Sequence, residues 1–223
     1  MTTATLPTRK DEAWRYSAVE RLQGEALDDW REIKVEAGDS FGEILVIADG
    51  ASNPTELHRW RVTVGEGATC ELFAVLASAE YARLEIEVTL NKGAHFEFGG
   101  ITVGGRDTVR EFVTRTIHAQ PEATSNQTVR SVHWGKGTGN FLGRIDVARD
   151  AQKTDAAQDF KGLLLEKGAS VNAVPQLEIF ADDVKCAHGA SVGQLDETAR
   201  FSTVSSMTSH TATRTDSCEI FSL

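Results

Sequence analysis

The sequence predicts an all-β protein, and three observations favour a parallel β-helix, a solenoid of stacked turns called rungs. From about Ile33 onward, short runs rich in β-branched and apolar residues alternate with turn formers, and no long helical stripe lies between them. Gly-Ala opens a β run at Gly67, Gly93 and Gly168. The distance from Gly93 to Gly168 is about three times the distance from Gly67 to Gly93. Gly-Ala-Ser-Val at 168–171 recurs at 189–192.

These spacings predict about seven rungs with a period in the low-to-mid twenties, with the Gly-Ala turns stacked along one corner. Each rung of such a solenoid buries its inward face on its neighbours. An antiparallel β-sandwich also spaces its strands regularly, so the repeats by themselves leave that architecture open.

The chain divides into three predicted parts. Residues 1–35 form an N-terminal arm with a short helix over 8–22, which Thr8 caps and which carries acidic residues in its first turn. Residues 36–198 form the β-helix core. Residues 199–223 form a tail, and ten of the sixteen residues at 202–217 are Ser or Thr. Such a tail buries too little apolar surface to offset its ordering entropy, so we expect it to be disordered.

Within the core, strands are predicted where apolar and β-branched residues concentrate. The segment 84–90 alternates strictly between apolar and polar residues, which is typical of a half-buried strand. The glycine-rich segments 99–106 and 135–139 do not match the phosphate-loop pattern, and we interpret both as turns. The predicted strands cover 44–47, 60–64, 70–76, 84–90, 109–117, 141–147, 162–165 and 177–180.

Charge and cysteine content narrow the function classes. The net charge of −10 argues against nucleic acid and anionic membranes as partners, because both call for basic patches. Three widely spaced cysteines, Cys70, Cys186 and Cys218, suit a reducing compartment rather than a disulfide framework. The first residues lack the apolar stretch of a signal peptide, and no run is long enough to span a membrane. We therefore expect a soluble, cytoplasmic protein.

The candidate site is the pair Cys186 and His188, whose side chains project from one face if the segment is extended. Thiolate and imidazole are ligands of soft and borderline metals, and they also form nucleophile–base pairs. Two ligands do not close a metal site, so another chain would have to supply the rest. The structural alternative is a turn with a buried cysteine and a hydrogen-bonded histidine. Lone histidines elsewhere are interpreted as hydrogen-bonded structural residues, namely His58, His95, His118 and His133.

Several longer motifs resemble a known family. They are Leu-Pro-Thr-Arg-Lys-Asp-Glu-Ala-Trp-Arg-Tyr at 6–16, Gly-Arg-Ile-Asp-Val at 143–147, Pro-Gln-Leu-Glu-Ile-Phe-Ala-Asp-Asp-Val-Lys-Cys-Ala-His-Gly-Ala at 175–190, and Val-Gly-Gln-Leu-Asp-Glu at 192–197. By these motifs the chain resembles the SufB/SufD family of the SUF iron–sulfur cluster assembly system, and within it the SufD branch.

The resemblance implies a right-handed parallel β-helix between terminal segments, in a non-enzymatic subunit. It implies pairing with SufB, cooperation with the SufC ATPase, and assembly of a cluster at the SufB–SufD interface. Carried over by motif, Cys186 and His188 are the cluster or metal ligands at that interface, and the paralogue's scaffold cysteine falls near Phe160. The cluster would be held transiently, and the isolated chain would hold no tightly bound cofactor. Because a solenoid without its partner leaves strand edges exposed, we expect the chain alone to form a homodimer through the rungs nearest Cys186.

The chain departs from the family after Leu195-Asp196-Glu197. The family continues there with an apolar helical segment that docks the ATPase, whereas this chain continues into the Ser/Thr-rich tail. A shift of reading frame would produce this switch, and the DNA sequence over codons 195 to 205 would reveal it. The tail puts SufC docking in question for this chain.

Three functions stay open from the residues alone. The first is an assembly subunit whose Cys186 and His188 complete a site shared with another chain. The second is a structural β-solenoid that oligomerises and holds no metal. The third is a cysteine-dependent hydrolase or transferase, for which the sequence shows no orienting acid and no oxyanion donors. The resemblance favours the first.

Overall fold

Almost every described residue after Trp30 lies in a β-strand or in a turn between two strands. The computed structural model describes residues 7–22, 26–48 and 54–195. In this part of the chain, two short 3₁₀-helices, Glu12–Trp14 and Val19–Leu22, precede twelve strands that alternate between two sheets. Each strand pairs in parallel with its neighbours in the sheet. The predicted parallel β-solenoid is confirmed, and the antiparallel sandwich is excluded.

The strands divide by number between the sheets. Sheet A contains β1 (Arg31–Val35), β3 (Thr55–Val64), β5 (Tyr81–Leu90), β7 (Val109–His118), β9 (Thr138–Val147) and β11 (Ser170–Ile179). Sheet B contains β2 (Ser40–Ile47), β4 (Thr69–Leu76), β6 (His95–Gly104), β8 (Thr124–His133), β10 (Asp155–Leu164) and β12 (Lys185–Gln194). The described solenoid is therefore six strands deep in each sheet, one fewer than the predicted number of rungs.

Strand residues alternate between the inside and the outside of the solenoid, and the inside forms the core. In β5, Leu84, Ile86 and Val88 point inward and are buried, as the strict alternation at 84–90 predicted. Register partners continue the same apolar rows, since Val62 of β3 lies beside Val88 and Phe112 of β7 lies beside Leu84. The N-terminal rungs thus enclose a continuous apolar core.

One corner of the solenoid repeats because its turn residues share a left-handed backbone conformation. Gly67 and Gly93 both have a φ of 63°, and Glu122 and Lys153 take the same place in later rungs with φ of 65° and 59°. The N–H of Gly67 donates to the carbonyl of Lys92 in the next rung at 2.9 Å. Glycine enters this conformation without steric cost. The spacing between Gly67 and Gly93 is therefore a true rung repeat.

The other two spacings, from Gly93 to Gly168 and between the two Gly-Ala-Ser-Val segments, are not rung repeats as predicted. Gly168 lies at the opposite corner, where a Cβ on it would clash with the carbonyl oxygen of Gly135. The first Gly-Ala-Ser-Val segment leads into β11 of sheet A, whereas the second lies inside β12 of sheet B. The real period is longer than predicted and lengthens along the chain. Strands β3 and β5 begin at Thr55 and Tyr81, whereas β9 and β11 begin further apart, at Thr138 and Ser170.

Strands β1, β8 and β12 were not predicted, and β6 was predicted only as a β run that opens after Gly93-Ala94. Gly99 and Gly100 lie within β6 rather than in a turn, because aromatic rings fill the space that side chains would occupy. A Cβ on Gly99 would come within 2.5 Å of the Phe73 ring, and one on Gly100 within 2.8 Å of the Phe112 ring. The predicted turn at 135–139 is correct at its start and runs into β9 at its end.

The N-terminal arm folds into the two 3₁₀-helices rather than the helix predicted over 8–22. Thr8 caps the first turn as predicted, since its hydroxyl oxygen accepts from the Lys10 N–H at 3.3 Å, and its own N–H donates to the Asp11 carboxylate at 2.9 Å. The last part of the predicted arm, β1, pairs with β3 in sheet A. The tail at 199–223 lies outside the described residues, so its expected disorder stays a prediction. No helix in the described ranges is long and apolar enough to cross a membrane.

Arg83 of β5 anchors the arm on the outer face of sheet A. Its guanidinium is fully buried and lies 3.7 Å from the centroid of the Trp14 ring. It donates to the Glu111 carboxylate and to the Ser17 hydroxyl, both at 3.0 Å. A buried cation held by a carboxylate and an aromatic face fixes the geometry of the elements that carry them.

The solenoid interior becomes polar toward the C-terminal rungs. His118 Nε2 lies 2.9 Å from the Ser125 hydroxyl, and His133 Nε2 lies 3.3 Å from the Thr102 hydroxyl, and all four residues are buried. The predicted structural role is confirmed for three of the lone histidines, namely His95, His118 and His133.

Acid should destabilise the solenoid through His118. Burial lowers the pKa of this histidine from 6.5 to about 4. The unfolded chain therefore takes up a proton below about pH 6.5 that the folded chain refuses until about pH 4, so stability is lost as the pH falls through this window. We expect His118→Gln to remove about 3 kcal/mol of that loss at pH 4.5. Urea unfolding of the wild type and of the variant at pH 7.5 and pH 4.5 measures how much stability each protein loses on acidification. Equal losses in the two proteins would contradict the role given to His118.

Candidate functional site

Cys186 and His188 lie on β12, which is the last described strand and the edge of sheet B. The register with β10 sets Cys186 beside Ala156 and His188 beside Gln158. Ala156 and Gln158 are buried and point inward, and register partners on parallel strands point to the same face. The two candidate ligands therefore belong to the inward row of the last rung, which no further described rung covers.

Cys186 has an apolar environment. Its side chain is half-buried and packs against a cluster that includes Ile145, Val147 and Ala156. Burial raises the pKa of the Cys186 thiol, and the carboxylate of Asp155 raises this pKa further. The thiol therefore stays protonated at neutral pH, which is the opposite of an activated nucleophile. This counts against the cysteine-dependent hydrolase or transferase.

His188 has an open environment. The residue is exposed, and its ring makes no hydrogen bond or ion pair with any residue that the structure describes. The alternative of a turn with a buried cysteine and a bonded histidine is wrong, since both residues lie in a strand and neither condition is met. No described residue occupies the imidazole, which leaves it available as a ligand.

Among the residues that the structure describes, the backbone of β12 also has an unpaired side. The N–H of Lys185 donates to the carbonyl of Thr154 at 2.8 Å, and that of Leu195 donates to the carbonyl of Leu164 at 2.9 Å. Because bonding direction alternates along a parallel strand, odd-numbered residues face β10. The even-numbered residues point their N–H and C=O groups to the free edge, and they are Cys186, His188, Ala190, Val192 and Gln194.

The neighbouring edge, β11 of sheet A, shows the same alternation. The Ser170 N–H donates to the carbonyl of Gly137 in the turn before β9, so the odd-numbered residues of β11 face the free side. Pro175 is one of these, and its missing N–H costs no bond within the sheet. We call β11, β12 and the exposed apolar side chains around them the open end; those side chains belong to Ile179, Phe180, Val192 and Leu195.

The metal-binding capacity of the described ranges is limited to partial sites. In residues 7–22, 26–48 and 54–195, no three His, Cys, Asp or Glu side chains are grouped to hold a metal ion. Cys186 and His188 supply a thiol and an imidazole, whereas iron–sulfur clusters are usually held by four protein ligands. The missing ligands would have to come from a chain that meets the open end.

Two further residues bear on the site. Phe160, the position that the resemblance matched to the paralogue's scaffold cysteine, is a buried core residue whose ring stacks on Phe141 at 5.6 Å. Gln158 lies beside His188 inside the solenoid, and sequence reasoning missed it. The two residues are a full rung apart in the sequence, and only the strand register shows that they occupy neighbouring positions in sheet B.

Comparison with known proteins identifies the family. A family model described as the SufBD core domain of the SUF system for FeS cluster assembly matches residues 18–202. The iron–sulfur cluster assembly protein SufD of Escherichia coli is 33% identical over 135 residues, which cover 60% of this chain and 32% of that protein. The chloroplastic protein ABCI7 of Arabidopsis thaliana is 34% identical over 140 residues, which cover 56% of this chain and 29% of that protein.

A SufBD family protein of Synechocystis is 30% identical over 137 residues, covering 60% of this chain and 30% of that protein. The chain thus aligns with about a third of the length of these curated relatives. The stretch matched by the family model contains every strand described above and both candidate ligands. The chain therefore belongs to the SufBD core family of the SUF iron–sulfur cluster assembly system.

Proposed function

We propose that this chain is a SufD subunit that joins SufB through the open end, and that an iron–sulfur cluster is built between Cys186, His188 and ligands of SufB. The observation that carries the proposal is the position of these two ligands on an unpaired strand edge. Membership of the SufBD core family supports a role in cluster assembly.

The free edge of β12 is suited to strand addition. A partner strand laid along it would pair the backbone groups of the even-numbered residues and extend sheet B into a second chain. The same contact would cover Phe180, which is 58% exposed, and Val192, which is 49% exposed. Burying such apolar surface stabilises an interface by roughly 25 cal/mol per Å². Backbone pairing and apolar burial therefore favour the same docking face.

The chemistry of the two ligands suits a shared and transient site. Iron in clusters accepts thiolate and, in some centres, imidazole. Cys186 would lose its proton on binding, and the raised pKa of its thiol makes this binding weaker than that of an exposed cysteine. His188 needs no such step if its ring is neutral. In this proposal the cluster is cargo that leaves with its acceptor. Because Cys186 binds more weakly, His188 is the main ligand of this chain and Cys186 the lesser one.

The same proposal covers the other partners. The chain is non-enzymatic, and ATP hydrolysis is assigned to SufC. Contact of this chain with SufC is tied to the tail at 199–223, whose sequence departs from the apolar segment of the family. The complex works in the cytoplasm, without nucleic acid or membrane as a partner, as the composition predicts.

His188→Ala should abolish cluster assembly and leave the fold intact. An exposed edge histidine carries little packing, so the free energy of unfolding should change by about 1 kcal/mol or less. Loss of a shared ligand should lower the iron and acid-labile sulfide of the reconstituted complex at least about tenfold. Cys186→Ser should have a smaller effect.

His95→Ala is the matched control, because His95 lies on the outer face of β6 and bonds Thr124 at 2.7 Å. It should leave cluster content unchanged. If His188→Ala unfolds the chain, its role is structural and the solenoid without a metal role becomes the better function. If the variant folds and assembles clusters normally, the site assignment is wrong.

Without its partner, the chain should form a homodimer through the rungs nearest Cys186, since a second copy can cover the open end. Ala190→Pro should weaken this dimer about tenfold or more, because it removes an N–H that faces the free edge and no bond to β10. Ser191→Pro is the contrasting variant, since it removes a bond to β10 and should destabilise the fold. Analytical ultracentrifugation at tens of micromolar, an order-of-magnitude choice for weak interfaces, measures the dimer. A monomeric wild-type chain would contradict the prediction.

A further inference from the structure

The inward rows of the solenoid end differently at its two ends. One inward row of sheet B runs through register partners on all six strands, from Glu43 of β2 to His188 of β12. At the open end, His188 has no partner among the described residues. At the N-terminal end, Glu43 is held by the guanidinium of Arg31 on β1. The two ends are therefore chemically unequal.

Arg31 and Glu43 lie across the mouth of the first rung. Arg31 is the register partner of the buried Trp60, and Glu43 is that of the buried Leu72, so the two belong to inward rows of opposite sheets. The Arg31 Nη2 donates to one carboxylate oxygen of Glu43 at 2.8 Å, and its Nη1 donates to the other. The guanidinium carbon also lies 5.6 Å from the centroid of the Trp60 ring. The Arg31 side chain is 51% exposed, so the pair places solvated charge over the apolar interior.

The backbone edge of β1 at this end is protected. In the part of the chain that the structure describes, no strand pairs with the outer side of β1 or β2. The Gly65 N–H donates to the Val35 carbonyl, so the even-numbered residues of β1 face the free side. They are Glu32 and Lys34, which are both charged and exposed, and β1 is only five residues long. Short edge strands, edge charges and inward-pointing charges are devices by which natural proteins prevent strand addition.

The edge of β2 lacks such protection of its own. The Ala77 N–H donates to the Ile47 carbonyl, so the even-numbered residues of β2 face the free side. Among them, Ile44 and Val46 carry apolar side chains that are 69% and 57% exposed. A strand added to this edge would continue the solenoid, and its inward row would cover the ion pair. The pair would then lose its water, and this desolvation cost can exceed the attraction between the two charges.

We propose that the Arg31–Glu43 ion pair is a cap that keeps a second solenoid from stacking on the N-terminal end, so that association is confined to the open end. Terminal units of repeat proteins carry polar groups for this purpose. Two copies joined at their open ends leave two N-terminal ends outward, and if these also paired, the assembly would grow into a filament. The inference concerns the end opposite the candidate site, and it holds whether or not a cluster is built there.

The experiment replaces the pair by apolar side chains, in Arg31→Leu/Glu43→Leu, and measures assembly size by analytical ultracentrifugation at roughly 50 μM. The wild type should form nothing larger than a dimer. The apolar variant should form larger species, because association through its N-terminal end should be at least about tenfold tighter than in the wild type. The exchanged pair, Arg31→Glu/Glu43→Arg, keeps both charges and should behave as the wild type does.

The matched control is Arg130→Leu/Asp159→Leu. It removes an ion pair of 2.7 Å from the outer face of sheet B, on strands β8 and β10, which are paired on both sides. It should not enlarge the assembly. Ile44→Pro, added to the apolar variant, removes an N–H from the free edge and no bond to β4, and should abolish the larger species.

Larger species in the wild type would overturn the inference without any variant. An apolar variant that folds, as judged by circular dichroism, but keeps the wild-type size distribution would also overturn it, as would equal growth of the control. Arg31→Met/Glu43→Met takes the place of the apolar variant if that one does not fold. If the wild type is a monomer and the apolar variant still associates through β2, the cap stands and the homodimer predicted at the open end fails.

Discussion

The structure depends on the hydrogen bonding of each strand to the strand one full turn later. In an interior rung, both sides of every strand are paired, so the backbone is satisfied without helices or side chains. This arrangement requires all rungs to keep one register, and it leaves the first and the last rung each with unpaired groups on one side. In the described part of this chain, those sides are the edge of β1 and β2 and the edge of β11 and β12, and the candidate site lies on the second of them. The fold itself therefore creates the surface on which the candidate site lies.

The two halves of the solenoid interior differ in polarity, and the candidate site lies at the polar end. Near the N-terminus, aliphatic and aromatic rows such as those through Leu84 and Phe112 fill the core. Toward the open end, amides, hydroxyls and imidazoles take over, and several of their atoms are unpartnered. Burial disfavours the charged form of such groups, as the lowered pKa of His118 shows.

The local alternation of apolar and polar residues predicted those strands whose inward residues are apolar. The alternation at 84–90 gave β5 correctly because its inward residues are apolar. Strand β8 was not predicted, because its inward row contains Ser125, Gln127 and His133 and the alternation of apolar and polar residues is therefore hidden. The second half of strand β6 was taken for a turn because its glycines make room for rings from other strands, which no local window can show.

The site was predictable in its residues but not in its setting. The resemblance singled out Cys186 and His188, and their spacing of two placed them on one face if the segment was extended. The spacing did not show that β12 is an edge strand, or that the thiol is half-buried and the imidazole is bare. The pairing of His188 with Gln158 depends on a register across one whole rung, and the misread Gly-Ala-Ser-Val repeat would have placed the wrong side chain beside His188.

The central claim is that a partner chain pairs with the free edge of β12. Amide hydrogen exchange with residue-level resolution, measured with and without SufB, tests this most directly. Our account predicts that SufB protects the N–H groups of the even-numbered residues from Cys186 to Gln194, while those of the odd-numbered residues are already protected by β10. Protection confined to another surface, such as the exposed outer residues Ile44, Val46 and Phe73 of sheet B, would contradict it.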